Sequence, residues 1–208
     1  MFQDMSHEHP NLETEPSGPA TLRPVGLRSL GVYRPARIVT NDDLRLGERS
    51  DSWIRRRTGI RERRYAGPAE SVVSMAVGAA EQALTTAALD PTEIGNVIVA
   101  TSTYMQLTPP AATAVAHRIG ASSASAFDLT AGCAGFCHAL AVAKDLVAAG
   151  TCDHALVIGS EKMSNNVDPA DAATARSSAT ARAPSSSRSP IGTASARSCG
   201  APTAVART

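Results

Sequence analysis

Ala126-Phe-Asp-Leu-Thr-Ala-Gly-Cys-Ala-Gly-Phe-Cys-His-Ala-Leu140 passes from a short β-type run, through a knot of small residues, into a helical pattern. Phe136, Leu140, Ala143 and Val147 recur at helical spacing, and Gly150 marks the helix end. Cys133 stands at the junction. A cysteine just after a strand and at the start of a helix meets exposed backbone N–H groups and the positive end of the helix dipole. Both stabilise negative charge on sulfur. Ala131, Gly132, Ala134 and Gly135 allow close backbone approach and leave room for a substrate. On these residues alone two accounts stand: an activated nucleophile, or a small hydrophobe in tight packing. Cys137, one helical turn further in, reads as a core residue, and Cys152 as structural.

Strands and helices alternate outward from this segment. Val97-Ile-Val-Ala100 and His154-Ala-Leu-Val-Ile-Gly159 are continuous apolar runs, the pattern of strands buried on both faces. Val25 to Tyr33 reads as a strand closed by Pro35, and Asn41-Asp-Asp-Leu44 as a capped helical turn. Ser71 caps a helix expected to run to about Ala88, with Val72, Met75, Ala76, Ala79, Ala83 and Ala87 on one face. Asp90-Pro91 begins another helical turn, and Pro109-Pro110 opens a helix to about Ile119. This order predicts an α/β fold, a mainly parallel sheet flanked by helices.

Composition excludes several functions. The net charge of the 208-residue chain is +1, so no large basic field points to nucleic acid. No apolar stretch approaches the roughly 20 residues of a membrane span, and residues 1–24 lack the pattern of a secretory leader. A cytoplasmic protein is expected. Cys133 and Cys137 form a C-x3-C pair with no second pair, a poor zinc pattern, so no metal site is expected. No G-x-G-x-x-G or phosphate-binding loop motif appears, which leaves a nucleotide-binding domain weakly supported. Aromatics are only 3%, so the core must be built from Ala, Val, Leu and Ile. Residues 1–24 are polar and proline-rich and read as a disordered extension.

Several blocks together carry a family resemblance. Asp128-Leu-Thr-Ala-Gly-Cys-Ala-Gly-Phe136 resembles the nucleophile motif of the β-ketoacyl-[acyl-carrier-protein] synthase III family, in the thiolase-like superfamily. Ser50-Asp-Ser-Trp-Ile-Arg-Arg-Arg-Thr-Gly-Ile-Arg-Glu-Arg63 resembles its N-terminal signature, and Val157-Ile-Gly-Ser-Glu161 and Asp168-Pro-Ala-Asp171 match further blocks in order. The resemblance covers about Val25 to Asp171. It implies the N-terminal half of a thiolase-like αβαβα fold, and an acyltransferase in fatty acid or polyketide biosynthesis that uses no cofactor. Cys133 would take an acyl group from acyl-CoA, and malonyl-acyl carrier protein would then condense with it after losing carbon dioxide. Acyl-CoA and acyl carrier protein are the implied partners, and family members form homodimers.

By the same resemblance Trp53 would stack on the CoA adenine and Arg57 would contact CoA phosphate, with Thr58 beside them. From residues alone, ordinary packing is the favoured account of Trp53, and a solvated charged face, which could also help acyl carrier protein dock, is the favoured account of Arg55, Arg56, Arg61, Arg63 and Arg64. Two departures stand out. Asn165 occupies a position where the family often has an arginine bracketing the adenine. Thr108 takes the place of a bulky residue against the acyl pocket, which would suit a larger or branched starter. The family's catalytic histidine and asparagine lie in its second half, so His117, His138 and His154 read as structural.

From Ala172 the character changes. Apart from Ile191, Cys199 and Val205, every residue to Thr208 is Ala, Arg, Ser, Thr, Pro or Gly. Residues 172–208 are expected to be a low-complexity, disordered tail. Read from the third base of each codon, Arg176 to Ser187 can encode Phe-Val-Gly-Asp-Gly-Ala-Gly-Ala-Val-Val-Val, a block of the kind the family carries there. A frameshift near Ala172 is therefore expected to have replaced the second half. A chain so shortened would lack the histidine and asparagine and could not complete the condensation. The alternative from another class is a non-catalytic fragment or dimerisation module.

Overall fold

The computed structural model describes residues 22–44 and 51–165, together with the backbone of Gly192–Ser198. The expectations for residues 1–21, and for 172–208 apart from 192–198, lie outside the described residues. Contacts begin ahead of Val25. The Arg23 N–H donates to the Ala148 carbonyl at 2.9 Å, and its guanidinium pairs with Asp153 at 2.8 Å.

The elements are β1 (Val25–Val32), β2 (Arg37–Thr40), α1 (Asp51–Thr58), β3 (Glu62–Tyr65), α2 (Val72–Ala87), β4 (Asn96–Ala100), α3 (Ala111–Ile119), β5 (Ser125–Leu129), α4 (Gly135–Ala148), β6 (His154–Gly159) and β7 (Gly192–Ser198). The main sheet has the order β1-β7-β6-β4-β5. β4 is parallel to β5 and β6, while β7 runs antiparallel to β1 and β6. β7 alone is reversed, so the sheet is mainly parallel as expected. Seven residues of the segment read as a tail thus form a strand inside this sheet. β2 and β3 form a separate antiparallel pair that the sequence pattern did not announce.

β4 shows why the apolar runs lack alternation. Its five residues are all buried, with side chains pointing alternately to two layers. Val97 and Val99 join Leu156, Ile158 and the inner faces of α2 and α3 in one core cluster. Ile98 and Ala100 join Ala155, Val157 and α4 residues Ala139, Ala143 and Val147 in another. The alanine-rich face of α2 buries Met75, Ala76, Ala79, Ala80 and Ala83. Ser71 caps that helix by accepting from the Ser74 N–H, and the Ser74 side chain completes a capping box. At Gly95, just before β4, an added Cβ would come within 2.6 Å of Cys152 Cβ, so only glycine lets the two segments approach.

Candidate active site

The C-terminal ends of β4, β5 and β6 meet at one edge of the sheet, where Ala100 pairs with Leu129 and with Gly159. The chain leaving β5 is pinned there. The Thr101 N–H donates to the Leu129 carbonyl at 3.2 Å, and the Thr130 hydroxyl donates to the Thr101 carbonyl at 2.8 Å. Gly132 then takes φ +53°, a left-handed conformation that glycine adopts without side-chain clash. A single 3-10 turn, Gly132–Ala134, leads into α4. Cys133 sits in that turn and is exposed. The strand, small-residue turn and helix expected around it are all present. The alternative of a buried packing residue does not describe it.

Cys137 corrects an expectation. It is exposed, not part of the core. α4 turns Ala139, Ala143 and Val147 inward, with Phe136 and Leu140 packed against the same cluster, and residue 137 falls outside that face. Cys152 is partly buried, and burial pushes its thiol up from the ordinary value, with the nearby Asp153 carboxylate adding to the effect. His138 and His117 are exposed, and His154 is buried at the start of β6.

Asp128 has a role that the motif alone did not announce. Its carboxylate accepts the N–H groups of Ala111 and Ala112, each at 2.8 Å. α3 follows Pro110, which offers no side-chain cap, so the strand feeding Cys133 supplies one. A helix opening on proline was the available signal that an acceptor must come from elsewhere. Glu161, just past β6, accepts the Ser102 N–H at 2.8 Å and also the Thr103 hydroxyl. The Lys162 ammonium donates to the carbonyls of Gly67 (3.0 Å) and Glu70 (2.7 Å). The loops at this edge are thereby tied to one another.

α1 carries the remaining candidates. Trp53 and Arg57 are one turn apart, and the guanidinium carbon lies 4.2 Å from the indole centroid, a cation–π stack. The Thr58 hydroxyl is engaged locally, donating to the Ile54 carbonyl at 2.8 Å and accepting the Ile60 N–H at 3.1 Å. An open cleft of about 480 Å³ is lined by Asp51, Ser52, Arg55, Arg56, Gly59 and Arg61. A hydrogen bond from Asn41 holds the Asp51 carboxyl below its ordinary value, and Arg55 acts in the same direction. Thr108 is exposed and precedes a cis peptide bond to Pro109. Trp53 and Arg57 are thus brought together on one helix, while Cys133 and Thr108 lie on other elements. The Asn165 side chain lies outside the described residues. Among the described residues no group of three or more His, Cys, Asp or Glu could hold a metal ion. No described helix is long and apolar enough to cross a membrane.

Residues 127–181 match the family described as 3-oxoacyl-[acyl-carrier-protein (ACP)] synthase III. A mycobacterial β-ketoacyl-[acyl-carrier-protein] synthase III from Mycobacterium ulcerans is 47% identical over 159 residues, which cover 76% of this chain and 48% of the relative. A β-ketoacyl-[acyl-carrier-protein] synthase III from Mycobacteroides abscessus is 49% identical over 152 residues, 72% of this chain and 44% of the relative. Among solved structures, the priming β-ketosynthase of the R1128 polyketide pathway superposes with TM-score 0.79 and 38% identity, covering 87% of this chain and 52% of that one. The 3-oxoacyl-[acyl-carrier-protein] synthase III of Aquifex aeolicus gives TM-score 0.73 and 36% identity, covering 84% and 53%. The chain spans about half the length of the relatives it matches.

Proposed function

We propose, for a chain that belongs to the 3-oxoacyl-[acyl-carrier-protein] synthase III family as a half-length member, that Cys133 accepts an acyl group from acyl-CoA. The observation that carries this reading is an exposed cysteine in the turn between β5 and α4, within the stretch that matches the family. The sulfur attacks the thioester carbonyl, and an acyl–Sγ bond forms. The bond to the CoA sulfur breaks, and the thiol proton leaves with CoA. Covalent catalysis of this kind divides one difficult transfer into two easier ones. Trp53 and Arg57 form the candidate CoA contact, with Thr58 beside them, and Thr108 is the candidate acyl-pocket residue. In the full reaction malonyl-acyl carrier protein loses carbon dioxide, and its carbanion attacks the acyl-cysteine, in fatty acid or polyketide synthesis.

We further propose that residues 172–208 arise from a frameshift. Resequencing the DNA tests this. Failure of any single-base shift near codon 172 to open a long family-like frame would sink it. The first step is tested by intact mass after incubation with acetyl-CoA. An acetyl adduct that disappears in Cys133→Ser is expected, and no adduct on a folded sample overturns the reading.

The exposure of Phe127 on edge strand β5 and of Val142 on α4, each 36%, favours a second reading. In it the chain is a non-catalytic fragment or dimerisation module. A folded, unacylated dimer in the same mass experiment, confirmed by light scattering, is its signature.

A further inference from the structure

α1 is short and thinly anchored. It has eight residues, fewer than the roughly 12 at which an isolated helix becomes marginally stable. Ile54 is its one buried residue. A short helix with one buried residue can rock about it, and rocking would misdirect Trp53 and Arg57. Something else must fix its ends.

Asn41, in the turn after β2, meets that need. Its amide nitrogen donates to Asp51 Oδ1 at 2.7 Å, the first residue of α1, and to the Ile60 carbonyl at 2.8 Å, just beyond the last. Its amide oxygen accepts from Arg63 at 2.9 Å. Arg63 is 2% exposed and Asn41 3%. Arg63 can only donate, so it orients the carboxamide with oxygen toward β3 and nitrogen toward α1. Burying a guanidinium carries a desolvation cost that a purely apolar side chain would not incur. The arrangement specifies an orientation.

We propose that Asn41, oriented by Arg63, is a positioning residue that grips α1 at both ends and sets the geometry of the Trp53–Arg57 pair. Where CoA is concerned, this rests on the reading of Trp53 and Arg57 given above. Asn41→Asp is the discriminating variant. It keeps the volume and the acceptor for Arg63, but sets an acceptor against the Asp51 carboxylate and the Ile60 carbonyl. Trp53 is the only tryptophan of the chain, so its near-UV circular dichroism and fluorescence anisotropy report α1 directly.

With the full chain, Asn41→Asp is expected to keep its far-UV spectrum while Trp53 anisotropy and near-UV signal fall. CoA affinity, read by Trp53 quenching, is expected to drop about tenfold, equivalent to about 1.4 kcal/mol. A thermal shift with unchanged Trp53 signals and unchanged affinity means a merely structural role and overturns the proposal. A wild-type chain that CoA does not quench overturns the CoA reading instead, and the ligand-free Trp53 signals then decide the role of Asn41. Should Asn41→Asp fail to fold, Asp51→Ala removes the grip on the start of α1 together with the Asp51–Arg55 ion pair at 3.3 Å, and Arg55→Ala, which removes that pair alone, is its control. A smaller loss of Trp53 anisotropy supports the proposal there, and no loss overturns it.

Discussion

The Asp128 carboxylate caps a helix to which it does not belong, accepting the N–H of Ala111 at the start of α3 at 2.8 Å. It takes the Ala112 N–H as well, at 2.8 Å. One side chain thereby couples the strand entering the cysteine turn to the α2–α3 layer. Asp128→Ala leaves two helix-start donors without this acceptor and is expected to cost about 1–2 kcal/mol, the scale of a lost helix cap. Urea denaturation checks it. An unchanged midpoint would show that the cap contributes nothing.

Gly132→Ala probes the turn itself. No atom lies within 4 Å of an added Cβ, so the expected cost comes from the backbone at φ +53° alone. A left-handed alanine costs about 1–2 kcal/mol. Denaturant unfolding measures this, and the alkylation rate of Cys133 should change with it as the turn shifts.

Burial sets an order of thiol reactivity. Cys133 and Cys137 are exposed, whereas Cys152 is partly buried and its thiol is pushed up chiefly by desolvation. Brief iodoacetamide treatment near neutral pH, followed by peptide mapping, is expected to modify Cys133 and Cys137 well before Cys152. Labelling of Cys152 first would contradict the packing around it.

The Tyr33 hydroxyl donates to Glu70 at 2.6 Å. This bond, with the Gly67 N–H, holds the Glu70 carboxyl below its ordinary 4.5. A carboxyl lowered on folding contributes stability that is complete above the unfolded value and is lost as pH falls through the folded one. The same bond raises Tyr33 above 10.0, so its share is complete below that pH and lost as pH rises beyond the folded value. Tyr33→Phe is therefore expected to destabilise near neutrality and to flatten the loss of stability below about pH 4.5. Melting curves from pH 3 to 7 check both, and parallel profiles for the two proteins would refute the coupling.

β1 reaches the main sheet only through β7, which lies between it and β6. Removing Ile191 to Thr208 should therefore speed amide hydrogen exchange in Val25–Val32 and His154–Gly159. β4 and β5, paired elsewhere, should change less. Ser29 still donates to the Ala83 carbonyl at 2.9 Å, so β1 is expected to loosen without leaving α2.

Much of the fold was legible because its signals are local. Ser71 capping α2, Asp90 capping the turn at Pro91, the runs at Val97 and His154, and the passage into α4 each depend on neighbours within a turn or a strand. The β2–β3 pair was not legible, since Arg37-Ile-Val-Thr40 and Glu62-Arg-Arg-Tyr65 pair across a long separation and carry no alternating apolar face. Gly192-Thr-Ala-Ser-Ala-Arg-Ser198 has the composition of a tail, and only its neighbours β1 and β6 make it a strand.

The candidate site divides in the same way. The sequence by itself determined the setting of Cys133: a strand, a turn needing glycine, and a helix start, all within about ten residues. The helix that sets Trp53 and Arg57 side by side, as i and i+4, belongs to the structure, since the sequence announces there only a charged segment with the chain's single tryptophan. Only the tertiary structure decided that Cys137 faces outward, that Asp128 caps α3, and that Asn41 joins Arg63 to both ends of α1. The physical reason is directional. Periodicity says which residues share a face, but the elements packed against that face choose which face is covered. A hydrogen bond between distant segments exists only once the chain has brought its donor and acceptor together.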